Sequence, residues 1–200
     1  MTFSMIQPNL NTIVSYASAP PRRRRDQAQR ARLQAESDYS PATDFWKSMR
    51  TAVCWERKTT RDGVPIFDAA ERAISRKRAS FQVVADRWSD ISTRWVDSSY
   101  RKPPSGIVAL GSLEIAVRPL FSEAMADGSI EHIALWMNIA EPTGEGIDAA
   151  LRLITLLDPT ARAIFVDVRR GNVYAGTAEM LEHDDEALAA MAADFLRDAA

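Results

Sequence analysis

Five large apolar residues, Phe81, Val84, Trp88, Ile91 and Trp95, recur at intervals of three, four, three and four. Only a helix brings such positions onto one face, so the stripe predicts a helix over 79–96 with one buried side. Just beyond it the period changes. Leu113, Ile115 and Val117 alternate with Glu114, Ala116 and Arg118, the period of two that a half-buried strand requires. Helical periodicity before Tyr100 and strand periodicity after Gly106 together predict an α+β fold.

Other segments fill in the order. Ser40 and Pro41 are the residue types that cap and open a helix, and Phe45, Trp46, Met49, Ala52 and Val53 give it a buried face as far as Lys58. A second helix is expected over 67–77. Strands are expected over 107–110, 113–121 and 130–140, with Asp127-Gly128 as a hairpin turn. In the last of these, Ile133, Leu135 and Met137 share one face and His132, Ala134 and Trp136 the other, so both sides should be covered. A helix over 146–157, strands over 163–168 and 172–175, and a helix over 178–198 complete the chain. The expected architecture is three N-terminal helices followed by a small antiparallel sheet in the order β-β-β-α-β-β-α.

Residues 1–40 read differently. Pro8, Pro20 and Pro21 interrupt them, and Ile6, Leu10, Ile13 and Val14 are too few to build a core. The run 22–33 is rich in helix formers but is too short to be stable alone. The organisation expected is an extended basic arm over 1–40, a basic helical region over 41–102 and an acidic α+β region over 103–200, with 41–200 forming one compact unit. Two hundred residues suit one domain with such an arm.

The net charge of −2 conceals a split. Residues 1–102 carry 19 of the 25 Lys and Arg and 11 of the 27 Asp and Glu, a net +8; the remainder carries 6 and 16, a net −10. A basic half either docks on the acidic half or engages an acidic partner. The residues expected to engage that partner are Arg22, Arg23, Arg24, Arg25, Arg30 and Arg32 in the arm, and Arg76, Lys77 and Arg78 between two helices. Trp46, Trp55, Trp88 and Trp95 lie in the same half, and aromatics interleaved with arginine suit single-stranded nucleic acid. Trp88 and Trp95, on the helical stripe, are expected in the core instead.

Several chemistries are excluded. Cys54 is the single cysteine, so neither an internal disulfide nor a thiol-rich metal site can form. His132 and His183 are too few for a three-histidine zinc site, and no glycine-rich phosphate loop is present. His132 is expected to be a hydrogen-bonded strand residue, His183 a solvated one, and Cys54 a buried, inert thiol. No cofactor or metal is expected. No segment approaches the ~20 apolar residues of a membrane span. The first 25 residues place their arginines after a polar stretch, unlike a secretory signal, so a cytoplasmic location is expected.

The hairpin, strand, helix and strand expected over 113–168 resemble the core of RecB-like nucleases of the PD-(D/E)xK type, across about a quarter of the chain. The resemblance implies an acid on the second hairpin strand and an acid-x-lysine on the third, together holding magnesium. Here 115–121 contains no acid, only the flanking Glu114 and Glu123, and 133–138 reads Ile-Ala-Leu-Trp-Met-Asn. Tryptophan and methionine supply no oxygen ligands for a hard cation. The resemblance therefore implies a catalytically degenerate relative, unless Glu114, Glu123, Glu131 and Asp167 converge in three dimensions. The function expected is a non-catalytic accessory subunit or adaptor whose basic half engages a partner protein or a polyanion. Nucleic-acid binding is the alternative.

Overall fold

In the computed structural model, which describes residues 6–36, 44–178 and 185–200, helices precede strands. The chain runs α1 (Leu10–Ala17), α2 (Pro21–Glu36), α3 (Lys47–Lys58), α4 (Val64–Glu71), α5 (Ser75–Ser92) and a 3₁₀ turn (Thr93–Trp95). It continues β1 (Ser99–Arg101), β2 (Gly106–Leu110), β3 (Leu113–Val117), β4 (Phe121–Ala124), β5 (Ile130–Trp136), α6 (Gly144–Leu157), β6 (Arg162–Asp167), β7 (Asn172–Gly176) and α7 (Asp185–Ala199). This is an α+β fold, with more helices than the three expected. The expected Ser40-Pro41 helix start and His183 lie outside the described residues.

Five strands form one sheet in the order β1-β4-β5-β6-β7, and β2-β3 form a separate hairpin. The main sheet is mixed rather than antiparallel, because β5 and β6 run parallel. The cause is α6, whose length carries the chain back over the sheet so that β6 starts from the same end as β5. The strand expected over 113–121 is two strands in two sheets. Pro119 has no N–H to give a ladder, so pairing breaks there and resumes where the Leu120 N–H donates to the Ile133 carbonyl at 2.7 Å. The three-residue strand β1, unforeseen in the sequence, pairs with β4.

The sheet separates two cores. On one face Phe121, Ile133, Leu135, Ile164 and Val166 pack against α3, α4 and α5, with Phe81, Trp88 and Trp95 from the predicted stripe. On the other, Ala134, Trp136, Ala163 and Phe165 meet α1, α6 and α7. Strand β5 is buried on both sides, as its composition implied.

Residues 10–36 are not the extended arm that composition suggested. The Asn9 side chain caps α1, accepting from the Thr12 N–H at 3.0 Å. Leu10, Ile13, Val14, Tyr16 and Ala17 are all buried. A Cβ at Gly146 would fall 2.2 Å from Ser18 Oγ and 3.1 Å from the Val14 carbonyl, so this glycine is what lets α6 approach α1 so closely. Helix α2 follows α7, with Ala28 buried between them and Arg32 donating to the Ala199 carbonyl at 3.1 Å. The apolar residues of α1 are indeed too few to form a core; they complete one that the C-terminal half begins.

No helix among the described residues is long and apolar enough to cross a membrane. Because Ile13 is fully buried, Ile13→Ala is expected to lower stability by about 2–5 kcal/mol in urea denaturation. A residue of a solvated arm would leave the midpoint unchanged.

Candidate functional site

The cross-strand register sets Glu123 of β4 directly opposite Glu131 of β5, and both are buried. Two like charges so placed repel unless something neutralises them. Arginines from the helical layer do so. Arg57 Nε donates to Glu123 Oε1 at 2.8 Å, and Arg61 Nη2 and Ser98 Oγ donate to Oε2 at 2.9 and 2.8 Å. Glu131 accepts from Arg94 Nη2 at 2.7 Å and from the Trp95 indole at 2.7 Å, with Arg162 Nη1 at 3.5 Å. Arg57 Nη2 and Arg61 Nη1 also donate to the Trp95 carbonyl, at 2.8 and 3.0 Å. Each of the four carboxylate oxygens therefore accepts from at least one protein donor, and the guanidinium groups beside them disfavour a further cation.

The other acids stand apart from this pair. Glu114 on the β2-β3 hairpin accepts from Gln7 at 3.3 Å. Asp167 is buried at the end of β6; Arg170 holds one of its oxygens at 2.8 Å, and burial pushes its carboxyl up. Glu56 lies buried one residue before Arg57, with the Trp88 indole donating to Oε2 at 3.4 Å and no hydrogen bond to Oε1. Burial raises its carboxyl above the ordinary range. Among the described residues, no group of three or more His, Cys, Asp or Glu is arranged to hold a metal ion.

On the opposite sheet face, Ser122 Oγ lies 2.8 Å from His132 Nδ1, and His132 Nε2 lies 3.0 Å from Asp158 Oδ2. Thr160 donates to the other Asp158 oxygen through its hydroxyl at 2.6 Å and its N–H at 3.0 Å. The Thr160 hydroxyl, followed by His132, holds the Asp158 carboxyl below the usual range. The residue types are those of a hydrolytic triad, but Ser122 is 0% exposed, so no substrate carbonyl reaches its hydroxyl. The chain Ser122–His132–Asp158 instead ties the β4-β5 pair to the turn after α6. Cys54 is half-buried rather than buried, and donates to the Leu120 carbonyl at 3.4 Å.

The basic residues divide by which way they face. Arg22, Arg23, Arg25 and Arg30 are exposed along the outer side of α2. Arg24 turns inward to the Ala17 and Ala19 carbonyls, to Glu145 and over the Tyr16 ring, and Arg32 holds the C-terminal carbonyls. In α5, Arg76 is exposed. Lys77 donates to the Phe45 carbonyl at 2.8 Å, beside the Phe45 ring, and the exposed Arg78 reaches the Ala73 carbonyl at 3.4 Å. Because α2 and α5 pack in layers on opposite faces of the sheet, the two basic clusters do not form one surface.

Of the tryptophans, Trp88 and Trp95 are core, as the stripe predicted, and Trp46 stacks on Phe81 at 5.3 Å. Trp55 is 59% exposed. Its position, out of phase with Met49, Ala52 and Val53 but in phase with Lys47 and Lys58, was the sequence signal for that exposure. A groove of about 850 Å³ between α2 and the 118–120 link is lined by residues such as Leu10, Leu120, Leu135 and Arg118. The one acid among its lining residues, Asp44, is paired with Arg50.

No protein-family model and no curated protein matches the chain. A solved structure titled "Crystal structure of SSO0001" is similar over 86% of this chain and 83% of that chain, at 10% sequence identity and a TM-score of 0.36. A likeness at that level carries no argument about fold or activity.

The raised Glu56 carboxyl gives a prediction with a definite sign. Its charged form is disfavoured in the fold, so stability is lost as pH rises from the ordinary value of 4.5 through the raised one. Glu56→Gln is expected to be more stable than the parent at pH 7, with the difference closing as the pH falls below that ordinary value. Denaturation midpoints measured across this range check it; a pH-independent difference would assign the effect to packing instead.

Proposed function

We propose that this chain is a non-catalytic binding or assembly component, an accessory subunit or adaptor, that engages an acidic partner surface through the outer side of α2. The observation that carries the reading is that Arg22, Arg23, Arg25 and Arg30 are exposed and make no ion pair among the described residues. Asp26 is the one acid interspersed with them. Arg24 and Arg32, facing inward, fasten the same helix to the body. The outward arginines are thus presented from a fixed platform, which lowers the ordering cost of binding. The exposed Arg76 and Arg78 offer a second, separate basic point. A cytoplasmic location accords with the reading, since a lone thiol such as Cys54 persists there.

A second reading, a degenerate relative of the PD-(D/E)xK nucleases, has its own support. Strands β1, β4 and β5, then α6 and β6, can be laid on the order the resemblance implies, with the antiparallel pair β1 and β4, separated in the chain by β2-β3, standing for the hairpin. That assignment puts Glu123 on the second strand and Glu131 on the third. Two positions after Glu131, where the resemblance implies lysine, stands the buried Ile133. This reading is compatible with a binding role, since arginines occupy both carboxylates.

Charge reversal tests the primary reading. Arg22→Glu, Arg25→Glu and Arg30→Glu combined should leave the far-ultraviolet circular dichroism unchanged, while lowering the salt needed to elute the protein from heparin or dissociating its complex on a sizing column. Unchanged behaviour on both columns overturns the proposal. Calorimetric titration with magnesium should give no tight site; a tight site abolished by Glu123→Ala would count against a catalytically degenerate site.

A further inference from the structure

The geometry points to a second binding surface, formed by α3 and β1, that takes single-stranded nucleic acid. Lys47, Thr51, Trp55 and Lys58 are spaced four, four and three apart, which sets them in one stripe along α3. The stripe covers about 16 Å of helix. It lies away from Met49, Ala52, Val53 and Glu56, which are buried, and all four of its members are exposed.

Strand β1 continues this surface. Lys58 Nζ sits 5.2 Å from the centre of the Tyr100 ring, joining the end of α3 to β1. Tyr100 is half-buried, and Arg101 and Lys102 beyond it are exposed. Lys102 follows directly on the last residue of β1. Glu123, the cross-strand partner of Tyr100, is buried and neutralised by Arg57 and Arg61. Asp62, which accepts from the Thr60 hydroxyl at 2.7 Å and the Val64 N–H at 3.0 Å, and Asp97, two residues before β1, are exposed carboxylates set against the cations Lys47, Lys58, Arg101 and Lys102.

An exposed indole flanked by lysines matches the two repeating features of a single strand, a stackable base and a phosphate. An acidic protein would satisfy the lysines, but a single strand repeats a flat base beside every charge. A duplex hides its base faces in the stack, so an indole lying on a helix surface cannot reach them. This surface does not include α2, so the two surfaces fail or hold independently.

The probe is a twelve-residue oligothymidylate carrying a terminal fluorescein, followed by fluorescence anisotropy on the full chain. Binding is expected to raise the anisotropy, with log K falling against log salt at a slope near −3 for about four phosphate contacts. Trp55→Ala, at an exposed helical site that tolerates alanine, should weaken binding on the order of 10-fold or more. Trp55→Phe should retain most of the affinity. Lys58→Gln and Lys102→Gln should each flatten the slope by about 0.7. The α2 charge-reversal variant should bind the oligonucleotide as the parent does. Equal affinity for polyglutamate, an affinity unaffected by Trp55→Ala, or loss of binding in the α2 variant would each overturn the inference.

Discussion

The opposed pair Glu123 and Glu131 is the constraint around which the two layers are arranged. Two carboxylates buried side by side on neighbouring strands are tolerated only with cations within hydrogen-bond reach. Three of those cations, Arg57, Arg61 and Arg94, come from α3, the turn after it and the 3₁₀ segment. The helical layer therefore cannot shift against the sheet without uncovering a charge. Trp95 serves both sides of this arrangement. Its indole donates to Glu131, its carbonyl accepts from Arg57 and Arg61, and its ring packs on Trp88 and Phe121. Such a network adds less to stability than its bond count suggests, because desolvation offsets much of the attraction; its effect is to fix the register of the two layers.

This network also accounts for part of the charge split. Arg24–Glu145, Arg57–Glu123, Arg61–Glu123 and Arg94–Glu131 all join the basic half to the acidic half. Tyr16 adds a neutral link, its hydroxyl donating to Asp198 at 2.7 Å, with burial and that carboxylate pushing the hydroxyl up. Basic residues left over lie on the outside, along α2, α3 and α5. Internal docking, one of the two alternatives that composition sets, uses Arg24, which faces in, while Arg22, Arg23 and Arg25 of the same helix face out.

The buried clusters illustrate how chemical types mislead without accessibility. Ser122, His132 and Asp158 lie within hydrogen-bond distance in the order a hydrolase would use, yet Ser122 and His132 are buried and only Asp158 reaches solvent. Glu123 and Glu131 form a carboxylate pair, the residue type that ligates hard cations, yet guanidinium groups lie beside both. Trp55, a less suggestive residue type than any of these, is open to solvent. Burial, rather than residue identity, separates the groups that hold the fold from those free to meet a ligand.

The sequence by itself determined the α5 stripe, the change from helical to strand period, the two-sided burial of β5 and the core placement of Trp88 and Trp95. These follow from spacing within a single element, which the chain carries locally. Tertiary structure alone decided that α1 is core, that β5 and β6 are parallel, and that Glu123 faces Glu131. The break at Pro119 lies between these classes: the residue announces an interrupted strand, but not that its two parts join different sheets. Each of the undetermined features depends on residues tens of positions apart, such as Val14 with Gly146 or Arg57 with Glu123. A periodicity records which side of an element is buried, and it contains no information about what buries it.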